Sequence, residues 1–451
     1  MNRLWVSLLL CAAFTASPAH ADDTHYQDFV VGGRAVGLGG AFTALADDPS
    51  GVFYNPAGIA DVEETNLQVS ASLYGFERGG IGDRVGVPVP GVEDLDIEFT
   101  ELIVVPASAG FVSNFDERLP NGQNRHSYAV SVVVPSFRSF AANESDDTAT
   151  YRRRVTDREL WTGAGYGYRL SPVLSLGASA YYVLRTTTDT EGLTASETLD
   201  SGLNRFQVVN NDITLVNGNA IFIAGLKYTP DSSWSFGLSL RSPSVRLHSD
   251  GNLFFEQGES DPSGAEVVSS FNRQNIQDRR SQTRFSPMLR AGLAYQSPHR
   301  FTVSADVSAH LPVDYTLIDI EDPEVRQRLP FNPEVERRPV VNFNAGIEYL
   351  VVREVSIAMG AFSNFSSAPS IAANPELDQL PDVDLYGLTI ALGYFGEYTL
   401  SRLGLQYSAG TGQDVIPESD IARLVDGDLQ FRRVEYSQTF FYVFVSSTFR
   451  Y

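Results

Sequence analysis

Hydrophobic and polar residues alternate with a period of two over most of the chain beyond its first sixty-five residues. In residues 67–73 the odd positions are Leu, Val, Ala and Leu, whereas the even positions are Gln, Ser and Ser. The same alternation recurs in residues 174–182, 234–241, 301–309 and 354–359. Successive side chains of a β-strand point to opposite faces, so each segment is predicted to be a strand with one apolar and one small, polar face.

The connections between these strands alternate between short turns and long polar stretches. Short connections are predicted at residues 114–124, 171–172, 229–233, 296–300, 350–353 and 396–397. Long polar loops are predicted at about residues 77–95, 138–149, 187–210, 252–281, 316–339, 365–383 and 410–432. An even strand number with this alternation is typical of outer-membrane β-barrels. The fold class is therefore predicted to be all-β, a transmembrane antiparallel barrel of about 14 strands; a soluble pair of β-sandwiches would not explain the alternation.

The N-terminal residues have the pattern of a secretory signal peptide. Arg3 precedes an apolar run at residues 4–16, and Ala19-His20-Ala21 has the form of a cleavage site, so cleavage is predicted after Ala21. The single cysteine, Cys11, lies in this segment. We therefore expect a mature chain without disulfides or cysteine metal ligands.

The mature chain is acidic and rich in aromatic residues. Removing Arg3 from the 33 basic residues leaves 32, against 55 acidic ones, and the whole sequence contains 28 Phe and 20 Tyr. Nucleic acid is not an expected partner, because phosphate binding requires clustered Lys and Arg. No cofactor, metal site or catalytic residue is predicted. Two basic clusters, residues 152–154 and 279–280, are candidate contacts for a carboxylate head group, although solvated loop positions explain them as well.

The last strand carries aromatic residues on both faces. With the terminal Tyr451 pointing outward, Phe440, Tyr442 and Phe444 point into the lumen, where they are candidate ligand contacts. Contact with a plug inside the barrel is an equally open interpretation. A terminal aromatic residue resembles the end of bacterial outer-membrane proteins that the barrel-assembly machinery recognises.

Residues 22–65 have no strand pattern. They contain several glycines, a candidate short helix at residues 44–48 and a turn at residues 47–51, followed by the triplet Asn55-Pro56-Ala57. Glycines permit a tightly folded backbone, and Pro56 restricts Asn55 to extended conformations. The domains are therefore predicted as signal peptide 1–21, N-terminal plug or hatch 22–65, and barrel 66–451.

The stretch GGAFTALADDPSGVFYNPAG, residues 39–58, resembles the N-terminal region of the long-chain fatty acid transporter family of outer-membrane proteins, which includes aromatic-hydrocarbon importers. The resemblance implies a 14-stranded barrel whose hatch carries the Asn-Pro-Ala triplet. It makes Asn55, Pro56, Ala57, Phe53 and Tyr54 candidate gate residues. It also implies that a hydrophobic small molecule enters from outside and leaves through a gap in the wall, at a kink in the third strand.

The third strand is predicted at residues 126–137 and contains Pro135. Proline lacks a backbone donor and occurs at breaks in pairing, so Pro135 is the favoured kink, with Pro106 as a competitor. The predicted protein is a monomer in the outer membrane of a Gram-negative cell, in contact with lipid and lipopolysaccharide.

Two other classes of function remain open at this stage. The N-terminal pattern also resembles the barrels of a protein secretion system that bind signals of secreted proteins. An enzyme is the third class, because the mature sequence has five histidines: His25, His126, His248, His299 and His310. None of them lies in a sequence context that indicates a nucleophile and its base, so lumen histidines with ordinary hydrogen bonds are the favoured interpretation.

Overall fold

The computed structural model describes residues 24–81, 98–103, 108–145, 149–198, 202–261, 268–297, 300–321, 334–375, 379–418 and 430–451. The predicted signal peptide and its cleavage site lie outside these ranges. Helices occur only before the barrel within the described residues: α1 is Gly33–Gly37, α2 is Gly51–Tyr54, and a 3₁₀ helix, η1, is Pro56–Asp61. In the part of the chain that the structure describes, no helix is long and apolar enough to cross a membrane.

Eighteen of the twenty strand segments in the described ranges join in one sheet, a closed antiparallel barrel of fourteen passes, and the other two, Val313–Thr316 and Glu334–Arg337, pair with each other in a separate two-stranded sheet. They are β1 Asn66–Ile81, β2 Glu98–Ile103, β3 Ser108–Asn114, β4 His126–Val133, β5 Phe137–Ser145, β6 Ala149–Ser171, β7 Leu174–Thr198, β8 Asn204–Tyr228, β9 Trp234–Arg241, β10 Val245–Asp261, β11 Val268–Arg279, β12 Met288–Gln296, β13 Phe301–His310, β14 Val313–Thr316, β15 Glu334–Arg337, β16 Val340–Val352, β17 Val355–Asn364, β18 Asp382–Phe395, β19 Thr399–Glu418 and β20 Gln430–Arg450. The all-β barrel of 14 strands predicted from the alternation is confirmed.

The first and last strands close the barrel. β1 pairs with β20 in antiparallel register from Asn66↔Arg450 to Ile81↔Tyr436. Four passes are interrupted and consist of two segments each: β2 with β3, β4 with β5, β9 with β10, and β11 with β12. β14 follows β13 and β15 precedes β16 along the chain, but these two segments pair only with each other. The interruption in the third pass, residues 134–136, contains Pro135.

Side chains alternate in exposure along the strands as the period-two pattern predicts. Along β18 the outward residues Leu388, Ile390 and Leu392 are exposed, whereas the inward Thr389 and Ala391 are buried. The outward apolar surface matches the lipid-facing band of an outer-membrane barrel. Aromatic residues gather near the short turns, as in the girdles that lie at a membrane interface: Tyr228, Trp234, Phe236, Tyr349, Tyr394 and Tyr398.

The short connections among the described residues lie within about three residues of their predicted positions, but several of the predicted long loops are wrong in extent. β5 occupies residues 137–145, inside the predicted loop 138–149, and β7 and β8 run deep into the predicted loop 187–210. A membrane-crossing strand needs about 9–11 residues, whereas β7 and β8 have 25 each. The surplus is a polar extension of the barrel wall beyond the apolar band.

The hatch also differs from one expectation. Residues 44–48 form no helix; the chain is helical at Gly33–Gly37, Gly51–Tyr54 and Pro56–Asp61 instead. Ala46 has a positive φ of 46°, which is incompatible with a regular helix. The turn predicted at residues 47–51 is present, and within it the amide of Gly51 donates to the carbonyl of Asp48 (2.9 Å).

Candidate functional site

The segment before the barrel, residues 24–65, is almost entirely buried inside it. α1 lies against β17, β18, β19 and β20, whereas α2 and η1 lie against β4, β6, β7 and β8. We call this segment the hatch. Because it touches separate parts of the wall, it occludes the lumen and is the centre of any candidate transport site.

Asn55 links the hatch to the wall and to itself. Its Nδ2 donates to the carbonyl oxygens of Thr43 (2.9 Å) and Leu226 in β8 (3.0 Å). Its Oδ1 accepts a hydrogen bond from the amide of Ala57 (3.2 Å), which caps η1, and Pro56 occupies the first helical position. The three residues of the Asn-Pro-Ala triplet therefore lie at one contact between hatch and wall; their role as a gate stays a prediction.

Phe53 and Tyr54 belong to an aromatic cluster at the centre of the lumen. The ring of Phe53 makes edge-to-face contacts with Tyr54 (5.4 Å between centroids) and with Trp161 of β6 (5.5 Å). Trp161 in turn contacts Tyr181 (5.7 Å) and Phe285 (5.5 Å). Such contacts stabilise by about 0.5–1.5 kcal/mol each beyond the area that they bury. The cluster is an apolar connection between the hatch and the wall.

Glycines on the inner face of the wall allow the hatch backbone to approach it closely. A Cβ at Gly177 would lie 2.3 Å from the amide nitrogen of Ala57, and one at Gly225 would lie 2.1 Å from Oδ1 of Asn55. A Cβ at Gly237 would lie 2.2 Å from the carbonyl oxygen of Thr43. These are contacts that real Cβ atoms do not make, so the hatch fits only a wall with glycine at these positions.

Replacing Gly177 by alanine is expected to displace η1, because the neighbouring atoms are backbone and have no rotamer to change. Hydrogen–deuterium exchange of residues 55–61 should rise about tenfold or more, corresponding to a loss of roughly 1.4 kcal/mol or more in local stability. Gly192→Ala in the same strand is the matched control, since its added Cβ would meet only the Asn210 side chain, at 3.2 Å. Equal exchange in the two variants would contradict the fit described here.

Charged side chains hold the hatch at several points. Arg34 forms ion pairs with Asp47 of the hatch and with Glu348 of β16 (3.0 Å). Glu348 also pairs with Arg402 of β19 (3.0 Å), and the side chains of Glu348 and Arg402 are 6% and 3% exposed. Separating a buried ion pair is unfavourable, because each partner would remain as an uncompensated charge away from water. This network fixes α1 to the wall.

Asp306 of β13 holds the middle of the hatch. Its Oδ2 accepts hydrogen bonds from the amides of Phe42 and Thr43 (both 2.9 Å) and from Oγ1 of Thr43 (2.6 Å). Farther along, Asp61 pairs with Arg169 and with Lys227 (2.6 Å) on the wall. The hatch is therefore anchored along its whole length rather than at one end.

Burial and neighbouring charges shift the pKa values of several titratable groups of the hatch. Burial raises the pKa of Tyr54 to about 12, so its hydroxyl stays neutral and accepts a hydrogen bond from the amide of Val31 (3.1 Å). Burial also raises the pKa of Asp48, against the hydrogen bonds from Ser50. For Asp47, burial is outweighed by the charges of Arg34 and Lys227, and its pKa is lowered. Asp47 and Asp48 are adjacent in the sequence but have different partners, Arg34 for Asp47 and Ser50 for Asp48.

Pro135 lies in the break between β4 and β5. Its carbonyl oxygen accepts hydrogen bonds from the amides of Asp28 and Phe29 in the hatch (both 3.0 Å). The Asp28 carboxylate accepts from Arg138 of β5 (3.0 Å) and from Oγ of Ser136 (2.5 Å). The start of the hatch is thus bound directly to the interruption in the third pass.

Pairing between the second and third passes changes at this break. β3 and β4 are in register from Ser108↔Val133 to Asn114↔Ser127. Beyond the break β2 pairs with β1 and β5 pairs with β6. Among the described residues β2 and β5 are not paired with each other. The competitor Pro106 lies outside the described residues.

The three inner aromatic residues of the last strand point inward, as predicted. Tyr442 makes an edge contact with Phe29 of the hatch (4.8 Å), Phe440 lies under the guanidinium of Arg138 (5.3 Å), and Phe444 belongs to the core cluster that includes the hatch. The structure therefore places them in contact with the plug or beside it. Their role as ligand contacts stays a prediction.

The described histidines have ordinary partners. His25 bonds to the carbonyl of Val383 (2.9 Å), His248 to the hydroxyl of Tyr182 (2.7 Å), and His126 to the hydroxyl of Tyr166. His310 stacks on Tyr26, and His299 lies outside the described residues. Among the described residues no group of three or more His, Cys, Asp or Glu could hold a metal ion.

The arginines of the two basic clusters, residues 152–154 and 279–280, bind separate partners. Arg153 pairs with Asp189 (2.7 Å), Arg152 donates to Asn143 (3.2 Å), and Arg279 pairs with Glu321 (3.7 Å). These contacts lie on the polar extensions of the wall. They do not converge on one head-group site.

Trp161, Asp306 and Glu348 are central to the lumen, yet sequence reasoning missed them. Their inward direction follows from the strand alternation around them, but their partners lie on distant segments. In the sequence each of them stands out as a large or charged residue at an inward position of an otherwise small, polar face, which could have marked it as a lumen residue. The neighbours of each residue depend on the register of the barrel.

The fold and the occluded lumen define this protein as an outer-membrane β-barrel with an internal hatch. No known family profile matches the chain. A protein of Neisseria meningitidis serogroup B, named as an outer membrane protein, is 34% identical over 88 residues, which is 19% of this chain and 18% of the relative. The match thus spans less than a fifth of the relative's length.

Solved structures match over nearly the whole chain. A Pseudomonas aeruginosa FadL homologue superimposes with a TM-score of 0.61 at 13% identity, covering 94% of this chain and 99% of that one. The Pseudomonas putida toluene transporter TodX gives 0.57 at 13% identity, and the Ralstonia pickettii toluene transporter TbuX gives 0.55 at 12%; each covers 94% of this chain and 99% of its own. At these identities the likeness shows a shared fold. The resemblance drawn from the hatch sequence is confirmed at the level of the fold.

Proposed function

We propose that this protein is a transporter of hydrophobic small molecules, long-chain fatty acids or hydrocarbons, across the outer membrane. The fold that it shares with the FadL homologue and the toluene transporters supports this function. A lumen with aromatic walls offers an apolar solute a favourable environment, since burial contributes about 0.8 kcal/mol per CH₂ group. The proposal assigns transport rather than catalysis to the barrel.

The break at Pro135 is the proposed exit. In a bilayer each backbone polar group needs a partner, so an open edge is tolerated only where another part of the protein covers it. At the break the hatch provides that cover, because the amides of Asp28 and Phe29 donate to the carbonyl of Pro135. A ligand leaving between β2 and β5 would pass from the lumen into lipid without crossing water.

The same contacts suggest how the hatch gates the exit. Asp28 and Phe29 connect the break to Arg138 on β5 and to Tyr442 on β20. A ligand that displaces Phe29 from Tyr442 would pull on the two amides at Pro135. The hatch would then move away from the gap as the lumen is occupied.

Replacing Pro135 by valine tests the lateral exit. Valine restores a backbone donor and a side chain suited to a strand, so we expect the gap to narrow and initial uptake of radiolabelled oleate or toluene to fall about tenfold. Pro172→Val, in the turn between β6 and β7, is the matched control and should leave uptake unchanged. Heat-modifiable migration in gels verifies that both barrels are folded.

Unchanged uptake in the folded Pro135→Val protein would contradict the lateral exit but not transport itself. Transport is tested by mass spectrometry of an organic extract from the purified wild type and from Asn55→Ala. A stoichiometric fatty acid or hydrocarbon in the wild type supports it. A barrel that instead retains a secreted polypeptide would favour the secretion class.

A further inference from the structure

Two buried arginines on the inner face of β9 and β12 have no ion-pair partner in the part of the chain that the structure describes. Arg241 is 4% exposed, donates to the carbonyl of Ser286 (3.1 and 3.3 Å) and lies over the ring of Trp161 (5.7 Å). Arg290 is 6% exposed and lies over the ring of Tyr54 (5.1 Å). Within the described residues neither guanidinium forms an ion pair, unlike Arg34, Arg138 and Arg402 of the same lumen.

Arg290 has unused donors beside a small cavity. Its Nε and Nη1 are buried and have no hydrogen-bond partner among the described residues, and the same is true of the Tyr26 hydroxyl and of Nδ1 of His310. All three side chains line one cavity of about 30 Å³. The rings of Tyr26 and His310 stack there at 4.2 Å with an angle of 1° between their planes.

The donors share one character. A guanidinium can only donate, a tyrosine hydroxyl can donate, and a neutral imidazole protonated at Nδ1 donates from that atom. Ser308 also lines the cavity and supplies another hydroxyl, and Asp28 lines it as well, with its carboxylate paired to Arg138. Such a set is suited to an acceptor that carries negative charge.

Charge and size restrict the acceptor. Asp306 is the carboxylate closest in register to Arg290, lying two positions before its partner Ser308, and its Oδ2 is already bound to the hatch. The charges of Asp306 and Glu159 act on Arg290 and Arg241, but within the described residues no carboxylate forms a direct ion pair with either guanidinium. A water needs roughly 10–15 Å³ of such space, so the cavity has room for one monatomic ion or two waters but not for a lipid head group. Water would satisfy the donors, whereas an anion would also give the Arg290 guanidinium a charge-assisted hydrogen bond in direct contact.

We propose that the cavity between Tyr26, Arg290 and His310 binds one small monovalent anion, a halide such as chloride. Tyr26 belongs to the hatch, whereas Arg290 and His310 belong to β12 and β13. The anion is therefore a bridge between the start of the hatch and the wall. Its occupancy stabilises the plugged state of the barrel.

Bromide is the probe for the test, because it replaces chloride and can be located by its anomalous scattering. In crystals of the full-length protein grown in sodium bromide, we expect an anomalous peak in this cavity at hydrogen-bonding distance from Arg290. Density explained by water alone, without an anomalous peak, would overturn the proposal. So would the end group of a longer ligand occupying the cavity.

A solution measurement tests the role of the charge. At constant ionic strength, exchange of sodium gluconate for sodium bromide should raise the Tm of the wild type in a saturable way, since a ligand bound only to the folded state stabilises it. Arg290→Met should weaken the apparent affinity for bromide at least tenfold. Arg246→Met, which removes an exposed arginine of β10, is the control and should keep the wild-type response.

Tyr26→Phe covers the case in which Arg290→Met does not fold. It removes one donor and no charge, so bromide affinity should fall several-fold while the barrel stays intact. A bromide response that is the same in the wild type and in Tyr26→Phe and Arg290→Met would refute the site. Its loss in Arg246→Met as well would show a general salt effect and also refute it.

Discussion

Replacing Glu348 by alanine is expected to lower the free energy of unfolding by about 3–5 kcal/mol, the cost of removing one partner of a buried ion pair. The carboxylate compensates both Arg34 of the hatch and Arg402 of β19, each at 3.0 Å, and accepts from Oγ of Ser356 (3.1 Å). Two buried guanidiniums lose a counterion in the variant. Denaturant-induced unfolding in detergent micelles, followed by tryptophan fluorescence, measures the change.

Two other substitutions separate charge from general damage. Glu348→Gln keeps an oxygen acceptor but loses the charge, so its unfolding free energy should fall between those of the wild type and Glu348→Ala. Glu354→Ala, in the exposed turn between β16 and β17, should change stability by less than about 0.5 kcal/mol. A Glu348→Ala protein as stable as Glu354→Ala would show that the network does not anchor α1.

Replacing Asp306 by alanine is expected to release the middle of the hatch. The amides of Phe42 and Thr43 lose their acceptor while they stay buried, and each unsatisfied group costs about 1–3 kcal/mol. We therefore expect a loss of roughly 2–5 kcal/mol in the stability of the seated hatch. Hydrogen exchange at residues 42–43 and ion conductance in planar bilayers should both rise.

The carboxamide in Asp306→Asn retains one acceptor oxygen and should preserve most of the protection at residues 42–43. Asp314→Ala, an exposed position on β14, serves as the neutral control. If Asp306→Ala conducts ions no better than Asp314→Ala and exchanges at the same rate, the hatch is held by other contacts. The carbonyl of Ala41, which accepts from Oγ of Ser304 (2.7 Å), would then be the next candidate.

The period-two alternation was sufficient to predict the barrel because the membrane imposes it. Each strand must present apolar residues to lipid and small or polar ones to the lumen, so the pattern repeats in residues as distant as 67–73 and 354–359. The turns at residues 229–233 and 396–397 were equally visible, since they interrupt apolar runs with polar residues and glycine. Local chemistry determines both features.

The polar extensions of the wall could not be predicted from this alternation, for a related reason. Beyond the bilayer neither face of a strand touches lipid, so β7 and β8 continue through sequences such as residues 187–198 without apolar alternation. Backbone pairing with the neighbouring strand holds these residues in the sheet. A sequence pattern that detects lipid contact assigns them to loops.

The candidate site was predicted only where a single residue type carries the geometry. Pro135 signalled a break because proline cannot donate to a ladder, and the Asn-Pro-Ala triplet signalled a rigid contact. Arg34 and Glu348 are 314 positions apart, and nothing near either residue indicates the other. Contacts of this kind depend on how the whole barrel closes.

The wall glycines have a consequence for the order of assembly. The hatch reaches from Gly33, whose added Cβ would clash with Ser446 of the last strand, to Ala57, which lies against Gly177 of the fifth pass. The ring of strands closes at the seam where β20 pairs with β1. A segment seated this tightly is expected to be in place before that seam forms, so that the folding barrel wraps around its own N-terminal segment. The hatch would then act as an internal template for biogenesis.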